Sequence, residues 1–274
     1  MKKICSELND EYNSLDTLVA NLDDEQWNLE TPFFGWTIKD QISHLSYFDG
    51  TGLLSATDPK AFMADFEAAV KNLKPDDGSM YSQVNEERRH IPNKKHLESW
   101  RKTRNSLIEA LKVLDRKARL PWYGPEMSAI SFATARIMEA WAHGQDVADT
   151  LKIRREPTDR LKHIAFLGIT TFKWSFINRK INVPEKEVKV ILTSPSGKKW
   201  EWGPEDSDNT VTGLAEDFCL VVTQRRNIAD TKLVTTGAVA KEWMSIAQAF
   251  AGPPEDGPKP GHRVVEYYQR VVEY

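Results

Sequence analysis

A carboxylate and an imidazole stand four residues apart, as Glu139 and His143, in the segment "RIMEAWAHGQDVADTL" spanning residues 136 to 151. On an α-helix an i, i+4 pair shares one face with Cβ atoms about 6 Å apart, so both groups can aim at one point. Phe132, Ala135, Arg136, Ala142 and Asp146 fall in the same stripe, about 100° wide, and small neighbours such as Ala140 leave room beside it. Two chemistries suit the pattern. One is a buried pair bonded to each other or to Arg136; the other is a pair of metal ligands.

His44 is the third residue that bears on this choice. In "GWTIKDQISHLSYFDG" it lies beside the apolar seam of Ile38, Ile42 and Leu45, with Phe48 one turn on. If the two helices face each other, His44, Glu139 and His143 form a two-histidine, one-carboxylate set. Such a set suits Zn²⁺, or another divalent ion with less preference, and leaves a coordination position for water or substrate. Asp146, Asp40 and Gln145 are candidates to orient an imidazole, though each is equally well a cap or a surface group. His90, His96, His163 and His262 lie in charged or loop contexts and are read as carrying no chemistry.

Arg225 and Arg226 close the apolar segment "GLAEDFCLVVTQRRN". Cations are favoured at a helix C-terminus by its dipole. A guanidinium also holds a carboxylate bidentately, so one of these arginines is a candidate for binding an acidic substrate in a cleft between two halves of the chain. Of the two cysteines, Cys219 reads as a buried thiol and Cys5 as incidental, and their wide separation suggests no disulfide framework.

The elements that must position these residues follow from periodicity. A helix is expected from residue 3 to about 21, carrying Ile4, Leu8, Tyr12, Leu15, Leu18 and Val19 on one face. A second begins after Thr37, a plausible N-cap with Asp40 in the first turn. A third covers "DPKAFMADFEAAVKNL" and ends at "KPDDG"; a fourth runs from His96 to Leu114. The Glu139 helix spans Ser128 to about Leu151, and another is expected from Thr158 to about Asn178.

Strand signals are not seen before about residue 185. From there "VPEKEVKVILTSPSGKKWEWGPE" reads as a hairpin, "NTVTG" and "DTKLVTTG" as strands flanking the Arg225 helix, and "AVAKEWMSIAQAF" as a last helix. The expected organisation is therefore α+β with two domains. An up-and-down four-helix bundle fills residues 1–180, a small α+β domain 181–255, and a Pro/Gly-rich linker and tail 256–274.

Length and composition agree with an ordinary globular chain: 274 residues, 40% hydrophobic and 28% charged, with a net charge of −3. Interspersed charge gives no basic stripe, so no nucleic-acid partner is expected. Neither a signal peptide nor an apolar run long enough to span a bilayer is apparent, and a cytoplasmic location without membrane attachment is expected.

"GWTIKDQISHL", followed much later by "MEAWAHGQDVADTL", resembles the mycothiol-dependent maleylpyruvate isomerase family. The resemblance implies a DinB-like four-helix bundle holding a divalent metal with two histidines and a glutamate, which match His44, Glu139 and His143 one by one. "SPSGKKWEWGPE", "GLAEDFCLVVTQRR" and "TTGAVAKEWMSIAQAF" resemble that family's sterol-carrier-like C-terminal domain, so the similarity spans nearly the whole chain. "PWYGPEMSAISFATARIMEAWAHGQDVAD" and "IAQAFAGPP" resemble a subfamily of metal-binding proteins within it.

The implied activity is metal-assisted use of a low-molecular-weight thiol on a small unsaturated or electrophilic, acidic substrate, as an isomerase or S-transferase. Two other readings stay open: a hydrolase or hydratase using metal-activated water, and a non-catalytic protein binding metal and an acyl or lipid ligand.

Overall fold

The computed structural model describes residues 1–33, 35–72, 88–267 and 269–271. The expected "KPDDG" helix stop lies outside the described residues. The chain divides into two compact units, Met1–Leu151 and Lys152–Tyr274.

In the first unit, α1 (Lys2–Val19), α3 (Ile38–Thr57), α5 (Asn93–Val113) and α6 (Ala129–Leu151) are the long helices, with a single turn α2 (Asp24–Trp27) and α4 (Pro59–Asn72) between them. They close a ring in the order α1, α5, α3, α6, each packing on its two neighbours. The amphipathic stripe of α1 is buried as its spacing requires, with Leu8, Tyr12, Leu15 and Val19 fully enclosed.

A capping box starts α3: the Thr37 side chain accepts from the Asp40 amide at 3.2 Å, and the Asp40 carboxylate accepts from the Thr37 amide at 3.0 Å. The C-terminal half of α3 approaches α6 closely at Gly52. A Cβ at Gly52 would stand 2.6 Å from Cζ of Phe132, so only hydrogen fits there without displacing that ring.

The second unit carries a four-stranded sheet in the order β5 (Lys199–Trp202), β4 (Lys189–Thr193), β6 (Thr210–Leu214), β7 (Val234–Thr236). The central β4–β6 pair is parallel and both outer pairs are antiparallel. Around it lie α7 (Leu161–Thr170), α8 (Phe172–Asn178), α9 (Ala215–Val222) and α10 (Ala238–Ile246). Among the described residues no helix is long and apolar enough to cross a membrane.

Four expectations are corrected. The units part at Leu151 and Lys152, not near 180, because α7 packs on α9, where Gly168 lets Val222 and Phe218 come close. The single helix expected from Thr158 to Asn178 breaks at Thr171, whose hydroxyl donates back to the carbonyls of Leu167 and Gly168 at 2.9 and 3.0 Å.

Strands also occur before residue 185. β1 (Arg119–Leu120) pairs with β2 (Met127–Ser128), and β3 (Ile153–Arg155) forms another short strand. Segments of two or three residues are too short to show a period. Lastly, the segment 256–274 is not all linker and tail, since β8 (Gln269–Val271) pairs in parallel with β3.

Candidate metal centre

His44 projects from α3 and Glu139 and His143 from α6. Nε2 of His44 lies 3.4 Å from Oε2 of Glu139, and Nε2 of His143 lies 3.3 Å from the same oxygen. One ligand atom from each residue falls within 4.8 Å of the others, the sole such histidine, cysteine or carboxylate group among the described residues. A tetrahedron with bonds of 2.0–2.1 Å has edges of about 3.3–3.4 Å, so two of the three edges already have the spacing a zinc ion imposes. His44 and His143 are 8% and 4% exposed, whereas the Glu139 side chain is 23% exposed, so the set opens on the carboxylate side.

The electrostatics favour the protonation state that ligands need. Burial, reinforced by the neighbouring His143, pushes the His44 imidazole down to about 4, keeping it neutral at physiological pH. Burial alone would raise the Glu139 carboxyl, but the adjacent His143 and His44 imidazoles outweigh it and hold the group well below the usual carboxylate range.

His143 is oriented by a residue that the sequence reading did not select. Its Nδ1 is hydrogen-bonded to Oε1 of Gln41, and the Gln41 amide donates in turn to Oγ1 of Thr31 at 2.7 Å. With Nδ1–H donated to the amide oxygen, the lone pair of Nε2 faces the Glu139 carboxylate, as a metal ligand requires. The signal was present, since Gln41 precedes His44 by three residues and so shares its face of α3.

Of the three residues expected to orient an imidazole, Asp146 comes nearest, with Oδ2 3.9 Å from Nδ1 of His143. Asp40 caps α3 and faces Arg89 at 3.4 Å, and Gln145 donates to Asp149 at 2.8 Å. Arg136 does not pair with Glu139. Its Nε and Nη2 reach Oδ1 of Asp49 at 3.0 and 2.8 Å, and Asp49 also accepts from Tyr12 and from the Trp100 indole.

Aromatic rings line the set. Trp36 stacks parallel to His143 at 6.1 Å and Phe33 meets it edge-on at 5.8 Å, while Phe48 lies 4.7 Å from His44. These rings reduce water access and strengthen every charge interaction inside.

Arg225 and Arg226 belong to the second unit and are 2% and 8% exposed. They follow a Schellman turn in which Arg225 N–H donates to Leu220 O and Gln224 N–H to Val221 O, at 2.7 and 2.9 Å. Gln224, at φ 59°, takes the left-handed position that glycine usually fills, which hid the motif in the sequence. The Arg225 guanidinium donates to Thr223 O at 2.7 Å, and that of Arg226 to Arg225 O at 2.6 Å and Tyr267 Oη at 2.9 Å.

Cys219 is buried, with its thiol raised well above its ordinary pKa by desolvation, and Cys5 is buried as well. His96, read from the sequence as lying in a charged or loop context, is fully enclosed.

A family model described as the mycothiol maleylpyruvate isomerase N-terminal domain matches residues 8–148. Proteins from two strains of Mycobacterium tuberculosis, both described as uncharacterized, are each 42% identical over 252 residues, covering 92% of this chain and 96% of the relative. A crystal structure of mycothiol-dependent maleylpyruvate isomerase superposes with a TM-score of 0.54 at 11% identity, over 85% of this chain and 92% of that one. That of a histidine-to-alanine mutant gives 0.52 at 11% identity, over 80% and 87%. At such identity the likeness concerns the fold.

Proposed function

The chain belongs to the family of the mycothiol maleylpyruvate isomerase N-terminal domain, and from that membership we propose a divalent-metal-dependent enzyme that activates a low-molecular-weight thiol against a small unsaturated or electrophilic, acidic substrate. The reaction is of isomerase or S-transferase type, in the cytoplasm, with zinc as the expected ion. The observation that carries the reading is the donor set of His44, Glu139 and His143, spaced at 3.3 and 3.4 Å about one carboxylate oxygen. The printed names of the two solved neighbours, both mycothiol-dependent isomerases, support the choice of a thiol as cosubstrate.

A divalent ion held by His44, Glu139 and His143 would supply Lewis acidity, which lowers the pKa of a bound thiol toward neutral pH. The residues do the rest. Gln41 fixes the His143 tautomer, Glu139 contributes the negative charge and presents the open edge, and Trp36, Phe33 and Phe48 limit water around the donors. Arg225 and Arg226 remain proposed contacts for a substrate carboxylate, which would have to compete with the oxygens they now serve.

Elemental analysis of the purified protein should find about one divalent ion per chain, as a three-ligand site requires. Turnover of an unsaturated diacid in the metal-loaded protein should rise with added thiol, and the stripped protein should show none. Thiol-independent turnover would instead assign water as nucleophile. A protein that takes up no ion would overturn the reading.

A further inference from the structure

The metal centre is one rung of an interhelical ladder. α3 and α6 meet along an ordered series of contacts that ascends one helix and descends the other. Gln41 bonds His143, His44 faces Glu139, Asp49 pairs with Arg136, and Gly52 receives the ring of Phe132. The order is antiparallel throughout.

We propose that Asp49 and Arg136 are positioning residues for this centre, their ion pair locking the axial register of α3 against α6. The inference rests on the metal-site reading above. Its physical basis is that the ligands come from two helices, so their spacing depends on how far one helix slides past the other. A one-residue slip displaces side chains by about 1.5 Å, several times the roughly 0.2 Å tolerance of a metal–ligand bond.

The Gln41–His143 rung tethers one side of the ligands and the Asp49–Arg136 rung the other. The second is well built for this. Arg136 is 3% exposed and Asp49 0%, and the carboxylate is held from two further helices by Tyr12 of α1 and Trp100 of α5. Asp49 therefore ties α3 to all three other helices of the ring, and a slide of α3 would break every one of these bonds. Gly52 serves the same register sterically, because Phe132 occupies the place its Cβ would take.

The bundle contains its own control. Arg104 and Asp16 form a second tight ion pair at 2.6 Å, but it joins α5 to α1, neither of which carries a ligand. A purely structural effect would make the two pairs equivalent.

The test compares full-length variants by Zn²⁺ affinity in chelator competition, by the visible spectrum of the Co²⁺-loaded protein, and by circular dichroism. Asp49→Asn with Arg136→Met removes both charges together, leaving no lone buried ion, and the Asn oxygen can still accept from the Trp100 indole while its NH2 donates to the Tyr12 hydroxyl oxygen. This double variant should keep its helix content, lose about 10- to 100-fold in Zn²⁺ affinity, and alter the Co²⁺ spectrum.

Arg136→Lys, which keeps the charge, should recover part of the affinity. Gly52→Ala should weaken it without touching a charge, and decides the matter if the double variant does not fold. Arg104→Met should lower the melting temperature and leave affinity and spectrum unchanged. A folded double variant with wild-type affinity and spectrum, or an equal loss in Arg104→Met, overturns the register lock while leaving the metal site standing. A wild-type protein that binds no zinc overturns the metal-site reading and this inference together.

Discussion

In the first unit His44, Glu139 and His143 leave two different helices and bring their donor atoms within 4.8 Å of one another. In the second unit Arg225 and Arg226 leave consecutive positions after a helix end, and each donates to a nearby backbone carbonyl. All but Glu139 are less than a tenth exposed, so burial does not separate the two groups. Convergence does. Side chains from facing helices can share one target, whereas Arg225 and Arg226 each serve a carbonyl beside them in the chain, Arg226 reaching Tyr267 Oη as well. A buried charged residue is a site candidate when its donors meet others from another element.

The comparison would break most visibly at the ligands. His44→Ala or His143→Ala should reduce bound metal from about one ion per chain to background, since each removes one of the three proposed ligands, and elemental analysis measures it. Arg225→Ala and His163→Ala should retain the ion. Full occupancy in a variant lacking both histidines would end the contrast between the units.

A smaller effect tests burial without convergence inside the first unit itself. His96 is 0% exposed, and neither ring nitrogen has a hydrogen-bond partner among the described residues. Burial lowers its pKa from 6.5 to about 4, with Arg88 and Lys39 adding to the shift. Between those values the unfolded chain binds a proton that the folded chain refuses, so the contribution is complete above pH 6.5 and is lost as pH falls toward 4.

The full window corresponds to roughly 3 kcal/mol, and denaturant titrations across it should reveal the slope. His96→Leu should flatten that part of the pH dependence attributable to this residue. An unchanged profile would mean that the imidazole charges without cost where it stands.

The smallest effect lies in the second unit. Arg226→Lys keeps the charge and loses the fork that serves Arg225 O and Tyr267 Oη, which should cost about 1–3 kcal/mol of stability. Thermal melts and steady-state kinetics on acidic and neutral substrate analogues separate the possibilities. A fall in kcat/KM confined to the acidic analogue, with the melting temperature unchanged, would make the arginine a substrate contact and bring the two units closer in kind.

Much of the first unit was legible because its features are local. The Thr37–Asp40 cap, the buried stripe of α1 and the shared face of Glu139 and His143 all follow from 3.6 residues per turn. The hairpin across "SPSG" was likewise readable from a two-residue period and its turn. The early strands and the break at Thr171 were not, being too short for any period or produced by one side chain's bond to the backbone.

The sequence by itself determined which residue types could form a metal site and which helix faces would carry them. Only the tertiary structure decided their partners: Gln41 on His143, where Asp146 was a candidate, and Asp49 on Arg136, where Glu139 was. It also decided that α7 and α8 belong with the sheet. Helical geometry relates residues three or four apart on one chain segment. Which residue of α3 stands opposite which residue of α6 is set by close packing between helices, through contacts such as Gly52 against Phe132, and no spacing within either segment encodes that register.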